Sequence, residues 1–135
     1  MKRVAILLWI LASFIMLSAC SVQKISSEKL RDLEFTVVKD DDVPEELMKM
    51  IEEKKTQFMK MTFADQCMLY IVEGYGTLPT SGYSIEVEQC FESKNAIYFQ
   101  SNLIGPYESE KTVEEETYPY IVIKMEYIDK SVVFQ

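Results

Sequence analysis

The side chains best suited to chemistry in this sequence are three cysteines, Cys20, Cys67 and Cys90, in a chain that contains no histidine. A cysteine nucleophile needs a neighbouring base or a lowered pKa, and histidine is the usual base. Ser-His-Asp and Cys-His systems are therefore excluded, together with zinc sites that include histidine. We predict that the protein is not an enzyme and has no catalytic residues.

Two runs of carboxylates, at positions 40–42 and 114–116, suggest a metal site or a hydrolytic pair. The aspartates lack the alternating ligand spacing of a calcium loop, and the glutamates have no cleft to serve. A helix start explains the first run better, because Asp42 can cap a helix, Pro44 fits its first turn and Glu45 completes a capping box. We predict no metal site and no cofactor.

The composition is that of one globular domain. The 135 residues are 48% hydrophobic and 27% charged, with a formal net charge of −8. An acidic chain without clustered lysine or arginine is unsuited to nucleic acid and is not attracted to anionic lipid. We predict no nucleic-acid partner and no small-molecule substrate, and we expect the acidity to keep the domain in solution.

The N-terminus has the pattern of an export signal. Lys2 and Arg3 precede an uncharged apolar run of about 14 residues, which is shorter than the roughly 20 residues of a membrane-spanning helix. The run ends in Leu17-Ser18-Ala19-Cys20. This ending resembles a bacterial lipobox, in which the cysteine is lipidated and becomes the mature N-terminus. An ordinary signal peptide and an uncleaved N-terminal anchor are the alternatives.

The lipobox resemblance implies processing and a location. Residues 1–19 would be a lipoprotein signal peptide, Cys20 would carry a covalent diacylglycerol and acyl lipid of the palmitate type, and residues 20–32 would be a lipidated tether. Cleavage would remove two basic residues and no acidic ones, which changes the net charge from −8 to −10. More than one acyl chain would hold the protein stably on the extracytoplasmic face of a bacterial cell membrane.

The remaining sequence predicts one helix and a series of strands. A helix is expected from Pro44 to Lys60, because apolar side chains recur on one face. These are Leu47, Ile51, Phe58 and Met61. Period-two alternation or β-rich composition predicts strands at 35–38, 67–72, 83–92, 97–103, 121–127 and 132–134. We predict a mainly β (α+β) fold: one N-terminal helix and a five- or six-stranded antiparallel sheet or small sandwich, with an immunoglobulin-like sandwich as one form.

The two cysteines of the folded region have two alternative states. If 67–72 and 83–92 form a hairpin, Cys67 falls opposite about residue 91, which nearly suits a disulfide in an extracytoplasmic protein. Alternation instead places Cys90 with the glutamates on the wet face of its strand, which favours free thiols. The sequence leaves both states open.

The loop between these two strands is the most distinctive segment of the chain. It reads Glu73-Gly74-Tyr75-Gly76-Thr77-Leu78-Pro79-Thr80-Ser81-Gly82-Tyr83-Ser84-Ile85. A tight hairpin needs far fewer residues, and proline and glycine here fix or permit unusual backbone angles. The loop is either a rigid connector or a preorganised surface that loses little entropy on binding a partner.

The segment Pro79 to Ile85, preceded by Gly76, resembles the P-T-G-G-Y-S-I signature of the PrcB C-terminal domain. That domain is named for a lipoprotein subunit of a bacterial surface protease complex. The similarity extends over about 66–125 within a domain that we place at 33–135, and includes Tyr118-Pro119-Tyr120 at the start of the last long strand. Ser81 stands where the family more often has glycine. The resemblance implies a protease complex subunit.

A second resemblance concerns a different function. Chagasin-type inhibitors of cysteine proteases carry an N-P-T-T-G-Y loop on an immunoglobulin-like sandwich, and Pro79, Thr80, Gly82 and Tyr83 match it. Leu78 replaces the asparagine. Their glycine-rich loop has no counterpart here, and their R-P-W segment is matched only by a proline between two tyrosines.

We therefore predict a membrane-anchored, extracytoplasmic lipoprotein whose β domain binds a protein at the cell surface. It would be an accessory or regulatory subunit of a surface protease or of another envelope complex. The alternatives are a chagasin-like protease inhibitor and a structural envelope lipoprotein without a specific partner. The predicted partner-binding loop consists of Pro79, Thr80, Ser81, Gly82, Tyr83, Tyr118, Pro119 and Tyr120.

Overall fold

The protein is described as a computed structural model that covers residues 26–135. The predicted signal peptide, Cys20 and the first residues of the predicted tether lie outside the described residues. In chain order the elements are β1 (Arg31–Asp32), β2 (Thr36–Val37), a 3₁₀ turn (Asp40–Asp42), α1 (Glu45–Lys54), β3 (Phe58–Asp65), β4 (Met68–Tyr75), β5 (Ser84–Glu92), β6 (Ala96–Ile104), β7 (Tyr120–Glu126) and β8 (Ser131–Phe134).

The strands form two four-stranded sheets. Sheet I has the order β1-β5-β6-β8 and sheet II the order β2-β7-β4-β3. Every neighbouring pair is antiparallel except β6 and β8, which run parallel. The predicted mainly β fold with one helix is confirmed for residues 26–135, and the arrangement is a small sandwich. Two of the eight strands, β1 and β3, were not predicted.

The structure has three layers. Apolar side chains of both sheets fill the space between them, and Ile71, Ile97, Phe99 and Ile123 are fully buried there. Helix α1 covers the opposite face of sheet II through Leu47 and Ile51, with Met59, Met61, Tyr70, Val72 and Val122 among their buried neighbours. Sheet II therefore lies in the middle of the molecule and is buried on both faces.

The predicted extent of the helix is wrong at its C-terminal end. Helix α1 ends at Lys54, and Phe58–Asp65 is strand β3. Met59 and Met61 point towards the helix with period two, while Phe58 is 77% exposed. The segment forms a complete antiparallel ladder with β4, and its β-branched and aromatic residues favour a strand. These effects outweigh the helical spacing of its apolar residues. Met61 fits both the helical spacing and the period of a strand.

The predicted capping box is also wrong. The N-cap of α1 is Pro44, which makes no side-chain hydrogen bond, and Asp42 belongs to the preceding 3₁₀ turn. The acidic residues Glu45 and Glu46 in the first turn still suit the positive end of the helix dipole.

Strands β4 and β5 do not form the expected hairpin, because they lie in different sheets. The long loop between them crosses from sheet II to sheet I. The ladder between β5 and β6 also shifts register between Val87 and Gln89. Cys90 then faces sheet II, and Phe91 lies on the other face of sheet I, where it is buried beside Tyr98. Cys90 is therefore buried rather than on the wet face, and both Cys67 and Cys90 are free thiols.

The end of the predicted tether contacts the sandwich. Arg31–Asp32 pair with β5, and the guanidinium of Arg31 lies 2.9 Å from a carboxylate oxygen of Glu92. The backbone N–H of Ser26 donates a hydrogen bond of 2.8 Å to the side-chain oxygen of Asn95. Across residues 26–135, no helix has the length and apolar character needed to cross a membrane.

Candidate functional site: the loop end of the sandwich

Two long loops meet at one end of the sandwich. Residues 76–83 connect β4 to β5, and residues 105–119 connect β6 to β7. We call these two segments the loop end. The opposite end, which we call the turn end, contains the short turns at 66–67 and 93–95. The sheets thus hold both loops at the same end of the fold.

Backbone pairing joins the two loops. The N–H of Leu78 donates to the carbonyl of Thr117 at 2.8 Å, and the N–H of Thr117 donates back to Leu78 at 2.9 Å. The hydroxyl of Thr117 donates to the carbonyl of Thr80 at 2.8 Å. The predicted binding loop is therefore paired to another segment of its own chain.

Ser81 makes a second connection between the loops. Its backbone N–H donates to the carbonyl of Val113 at 3.0 Å, and its hydroxyl accepts a hydrogen bond of 2.9 Å from the N–H of Val113. Glycine, which the resembled family more often has here, could make only the first of these bonds. Ser81 therefore adds one hydrogen bond between the two loops that glycine could not make.

Gly82 is required by the shape of the loop end. Its φ is +93°, and a Cβ placed on it would lie 2.8 Å from the Cβ of Pro106 and 3.3 Å from the Cγ2 of Thr112. Any other residue would be strained in backbone and in contact. Gly82 therefore lets the two loops approach closely, and the Pro-Thr-Ser-Gly segment is part of a rigid unit.

The exposed residues of this unit include apolar and aromatic side chains and many carboxylates. Tyr107 is 69% exposed and Val113 is 59% exposed, while Pro79 is also exposed. Five glutamates and one lysine lie in the same loop, at Glu108, Glu110, Lys111, Glu114, Glu115 and Glu116, and all are exposed. Aromatic and apolar side chains within a polar rim are typical of protein-binding surfaces.

Tyr107 and Val113 were not among the predicted binding residues. The sequence held one signal for Val113, which is the single apolar residue between Tyr107 and Tyr118. Tyr83, which was predicted, is half-buried, and its ring approaches the space beside Gly105.

The predicted residues Tyr118, Pro119 and Tyr120 lie at the base of the loop end and contact the helix side of the molecule. The ammonium group of Lys55 lies 5.2 Å from the centre of the Tyr118 ring. The hydroxyl of Tyr120 donates to a carboxylate oxygen of Asp40 at 2.7 Å, and burial together with this bond raises the pKa of Tyr120. The carbonyl of Pro119 accepts from the N–H of Tyr75. Of the predicted binding residues, residues 80–82 therefore contact the loop at 105–119. Tyr118 and Tyr120 instead contact Lys55 and Asp40.

The environment of the Cys90 thiol does not favour nucleophilic chemistry. Burial raises the pKa of Cys90 to about 11, so its thiol is protonated at neutral pH. Among residues 26–135, no group of three Cys, Asp or Glu side chains is arranged to hold a metal ion.

Comparison with known proteins gives one match. A family model described as PrcB C-terminal matches residues 69–126, which run from β4 to the end of β7 and contain the whole loop end. No curated protein and no solved structure matches the chain.

Proposed function

We propose that this protein is an accessory or regulatory subunit of a protease complex or of another envelope complex. The observation that carries this proposal is the match of residues 69–126 to the PrcB C-terminal family. The subunit is lipid-anchored at Cys20 on the extracytoplasmic face of a bacterial membrane. Its role is to bind protein rather than to catalyse a reaction.

The loop end is the surface that binds the partner. Its two loops are joined by hydrogen bonds through Leu78, Thr80 and Ser81, so their exposed residues are ordered before binding. Preordering reduces the entropy lost on association. Tyr107 and Val113 supply exposed apolar groups, and a tyrosine provides a large contact area with few rotatable bonds.

The direction of the chain supports this assignment. Ser26 is bonded to Asn95 at the turn end, and Cys20 precedes it by a span that reaches at most about 20 Å when extended. A lipid on Cys20 would therefore hold the turn end near the membrane. Strand β5 has nine residues, a length of about 30 Å. The loop end is then displayed on the side away from the lipid.

The charge of the loop end suggests the chemistry of the partner surface. Residues 108–116 contain five glutamates, Glu108, Glu110, Glu114, Glu115 and Glu116, and one lysine, Lys111. A partner with a basic rim around an apolar pocket would complement it. Because rim charges act mainly on the association rate, binding should slow as salt concentration rises.

The test is retention of the partner in detergent-solubilised membranes of the native host. A Tyr107→Ser and Val113→Ser double variant should lose at least tenfold of the co-purified partner. The matched control changes Val37 and Tyr127, which are 56% and 48% exposed outside the loop end, to serine. Equal retention by both double variants would contradict a loop-end interface, and the absence of any saturable partner would favour a structural lipoprotein.

The lipid anchor has a separate test. Metabolic labelling with palmitate should mark the wild-type protein and not the Cys20→Ala variant. Label that persists in the variant would contradict lipidation at Cys20. Because this test involves no partner, its failure leaves the loop-end assignment to be judged on its own.

Protease inhibition is a second candidate function, favoured by the position of Pro79–Tyr83 beside a second loop at one end of a sandwich. An inhibitor of this kind would enter a protease cleft with both loops. It predicts that the purified domain inhibits a papain-type enzyme, and that Thr80→Val weakens the inhibition. Full protease activity at high excess of the domain would exclude it.

A further inference from the structure

Glu73 is a carboxylate buried inside the sandwich. Within residues 26–135 it is the one acidic side chain that is buried, with 6% of its surface exposed. Its Oε2 atom has no hydrogen-bond partner among the described residues. Burial raises the pKa of Glu73, while the Ser101 hydroxyl and the charge of Lys60 oppose that rise. The surroundings of Glu73 therefore suit the protonated carboxyl group better than the ionised one.

A lysine directly opposite Glu73 does not neutralise it. Lys60 on β3 pairs with Glu73 in the ladder between β3 and β4. Side chains at directly opposite positions share one face of a sheet, with their Cβ atoms about 5 Å apart. The ammonium group of Lys60 instead lies 5.9 Å from the centre of the Phe134 ring on β8. Lys60 thus has two partners within reach, an aromatic ring of sheet I and a carboxylate beside it on sheet II.

Phe134 belongs to a short edge strand. Strand β8 has four residues, lies at the edge of sheet I and pairs in parallel with Ala96–Phe99 on β6. Parallel pairing is slightly less stable per residue than antiparallel pairing. The Phe134 ring also meets the Phe99 ring edge-on, at 5.9 Å between centres. The contact from Lys60 is therefore one of the contacts that hold the end of β8 in place.

We propose that Glu73 and Lys60 form a pH-sensitive latch on β8. When Glu73 is protonated, Lys60 lies over Phe134 and helps to hold the strand. When Glu73 loses its proton to solvent, the Lys60 ammonium moves to the carboxylate and leaves the ring. The latch lies within the strands of the sandwich, so it does not depend on the proposed binding at the loop end.

The energetic balance favours this movement of Lys60. A cation–π contact at an exposed site is a weak interaction, and the side chain of Lys60 is exposed. An ionised carboxylate that is buried without a partner is much more costly. Because Lys60 and Glu73 are already opposite each other, rotation of the lysine side chain is enough to bring the two charges together. Ionisation of Glu73 should therefore outweigh the contact with Phe134.

The groups on the neighbouring strands leave Glu73 as the group that titrates. Strand β6 contributes the uncharged Ser101 hydroxyl, which lies 2.6 Å from the Tyr75 hydroxyl. Burial raises the pKa of Tyr75 above 10.0, Ser101 opposes this, and the charges of Glu73 and of Glu88 on β5 add to it, so Tyr75 stays neutral at pH 8. Strand β7 places an apolar residue opposite Glu73, and β3 contributes Lys60. The chain has no histidine, which is the usual switch near neutral pH.

The NMR resonances of the Lys60 side chain report its position, because protons above an aromatic ring shift upfield. In the full-length protein in detergent micelles, the Lys60 methylene protons should lie upfield at pH 4 and move towards their ordinary position on titration to pH 8. A Phe134→Leu variant gives the resonance positions without the ring. Lys60 resonances that do not move during the titration would overturn the proposal.

Matched substitutions assign the movement to Glu73. Glu73→Gln keeps the shape of the side chain and removes its charge, so the Lys60 resonances should stay upfield throughout the titration. Glu126→Gln removes an exposed carboxylate from β7 of the same sheet and should leave the movement intact. A movement that persists in Glu73→Gln, or that Glu126→Gln also abolishes, would exclude Glu73 as the trigger.

Removal of the ammonium group tests the pair from the other side. In Lys60→Met, ionised Glu73 has no cation beside it, so the midpoint of its titration, followed by carbon-13 NMR of the carboxyl group, should rise by about 1 pH unit. Lys54→Met changes an exposed lysine at the end of α1 and should leave the midpoint unchanged. Equal midpoints in the wild type and in Lys60→Met would contradict pairing of Lys60 with ionised Glu73.

Amide hydrogen exchange measures the effect on β8. The N–H of Gln135 donates to the carbonyl of Phe99 at 2.9 Å, so its protection reports whether the end of β8 is in place. After correction for the intrinsic effect of pH on exchange, protection at Gln135 should fall about threefold from pH 4 to pH 8, as expected for loss of a weak cation–π contact. Glu73→Gln should abolish this fall. Equal falls in both proteins, or no fall in the wild type, would show that Glu73 does not control β8.

Discussion

Replacement of Gly82 by alanine tests whether the loop end is a rigid unit. The added methyl group would meet the Cβ of Pro106 at 2.8 Å, and the backbone would have to hold a φ of +93°. A left-handed backbone costs a non-glycine residue about 1–2 kcal/mol, and relieving the overlap costs about 1 kcal/mol more. We expect the free energy of unfolding to fall by about 2–3 kcal/mol.

Gly105 provides the matched control in the same part of the molecule. A Cβ placed on Gly105 would meet nothing closer than the Cε1 atom of Tyr83 at 3.9 Å, and its φ lies outside the left-handed range. Gly105→Ala should therefore change stability by less than about 0.5 kcal/mol. The comparison separates the special geometry of Gly82 from a general effect of replacing glycine.

The assay combines thermal unfolding with amide hydrogen exchange. Gly82→Ala should lower the melting temperature by about 10 °C and should speed exchange at the amides of Ser81 and Val113, which bond across the two loops. Equal losses in the Gly82→Ala and Gly105→Ala variants would contradict a rigid loop end that depends on Gly82. So would unchanged exchange at Ser81 and Val113 in the Gly82→Ala variant.

Three further predictions concern buried groups. Burial raises the pKa of Glu73 above 4.5 in the folded state, so the wild type should lose stability as pH rises above that value. Glu73→Gln should show a flatter dependence of stability on pH and a higher melting temperature at pH 7. Identical pH dependences in the two proteins would contradict this. An alkylating reagent at pH 8 should modify the exposed Cys67 in the native protein, and Cys90 only after denaturant exposes it, because burial raises the pKa of Cys90 to about 11. Equal rates of modification at both cysteines in the native protein would contradict the burial of Cys90. Tyr120→Phe should lower the free energy of unfolding by about 0.5–1.5 kcal/mol, because it removes the bond to Asp40, and a denaturant titration with an unchanged midpoint would argue against that bond.

Strands with their own alternation could be predicted from the sequence. Ile97, Phe99 and Leu103 share one face of β6, and the predicted strand at 97–103 lies within the observed Ala96–Ile104. Strand β3 could not be recognised, because Phe58 and Met61 fit a helical stripe begun by Leu47 and Ile51. The decision depended on pairing with β4, which is a tertiary effect.

The unusual shape of the loop between β4 and β5 was predictable from its residues, but its contacts were not. The proline and glycines marked 76–83 as a shaped loop, and Gly82 does hold a positive φ. The hydrogen bond between Ser81 and Val113 joins residues that are 32 positions apart. It arises because the first loop crosses from sheet II to sheet I, so no short sequence pattern could have indicated it. The bulge that moves Cys90 inside is likewise set by pairing with β6.

Site-specific photocrosslinking in living cells of the native host tests most directly whether the loop end binds a protein partner. A photoreactive amino acid at Tyr107, in the loop end, should give a saturable crosslink to one protein, and the same group at Tyr127, near the turn end, should not. Both positions are exposed tyrosines, at 69% and 48%. Crosslinks of equal yield from both positions, or a partner captured from Tyr127 alone, would contradict an accessory subunit that binds its partner through the loop end.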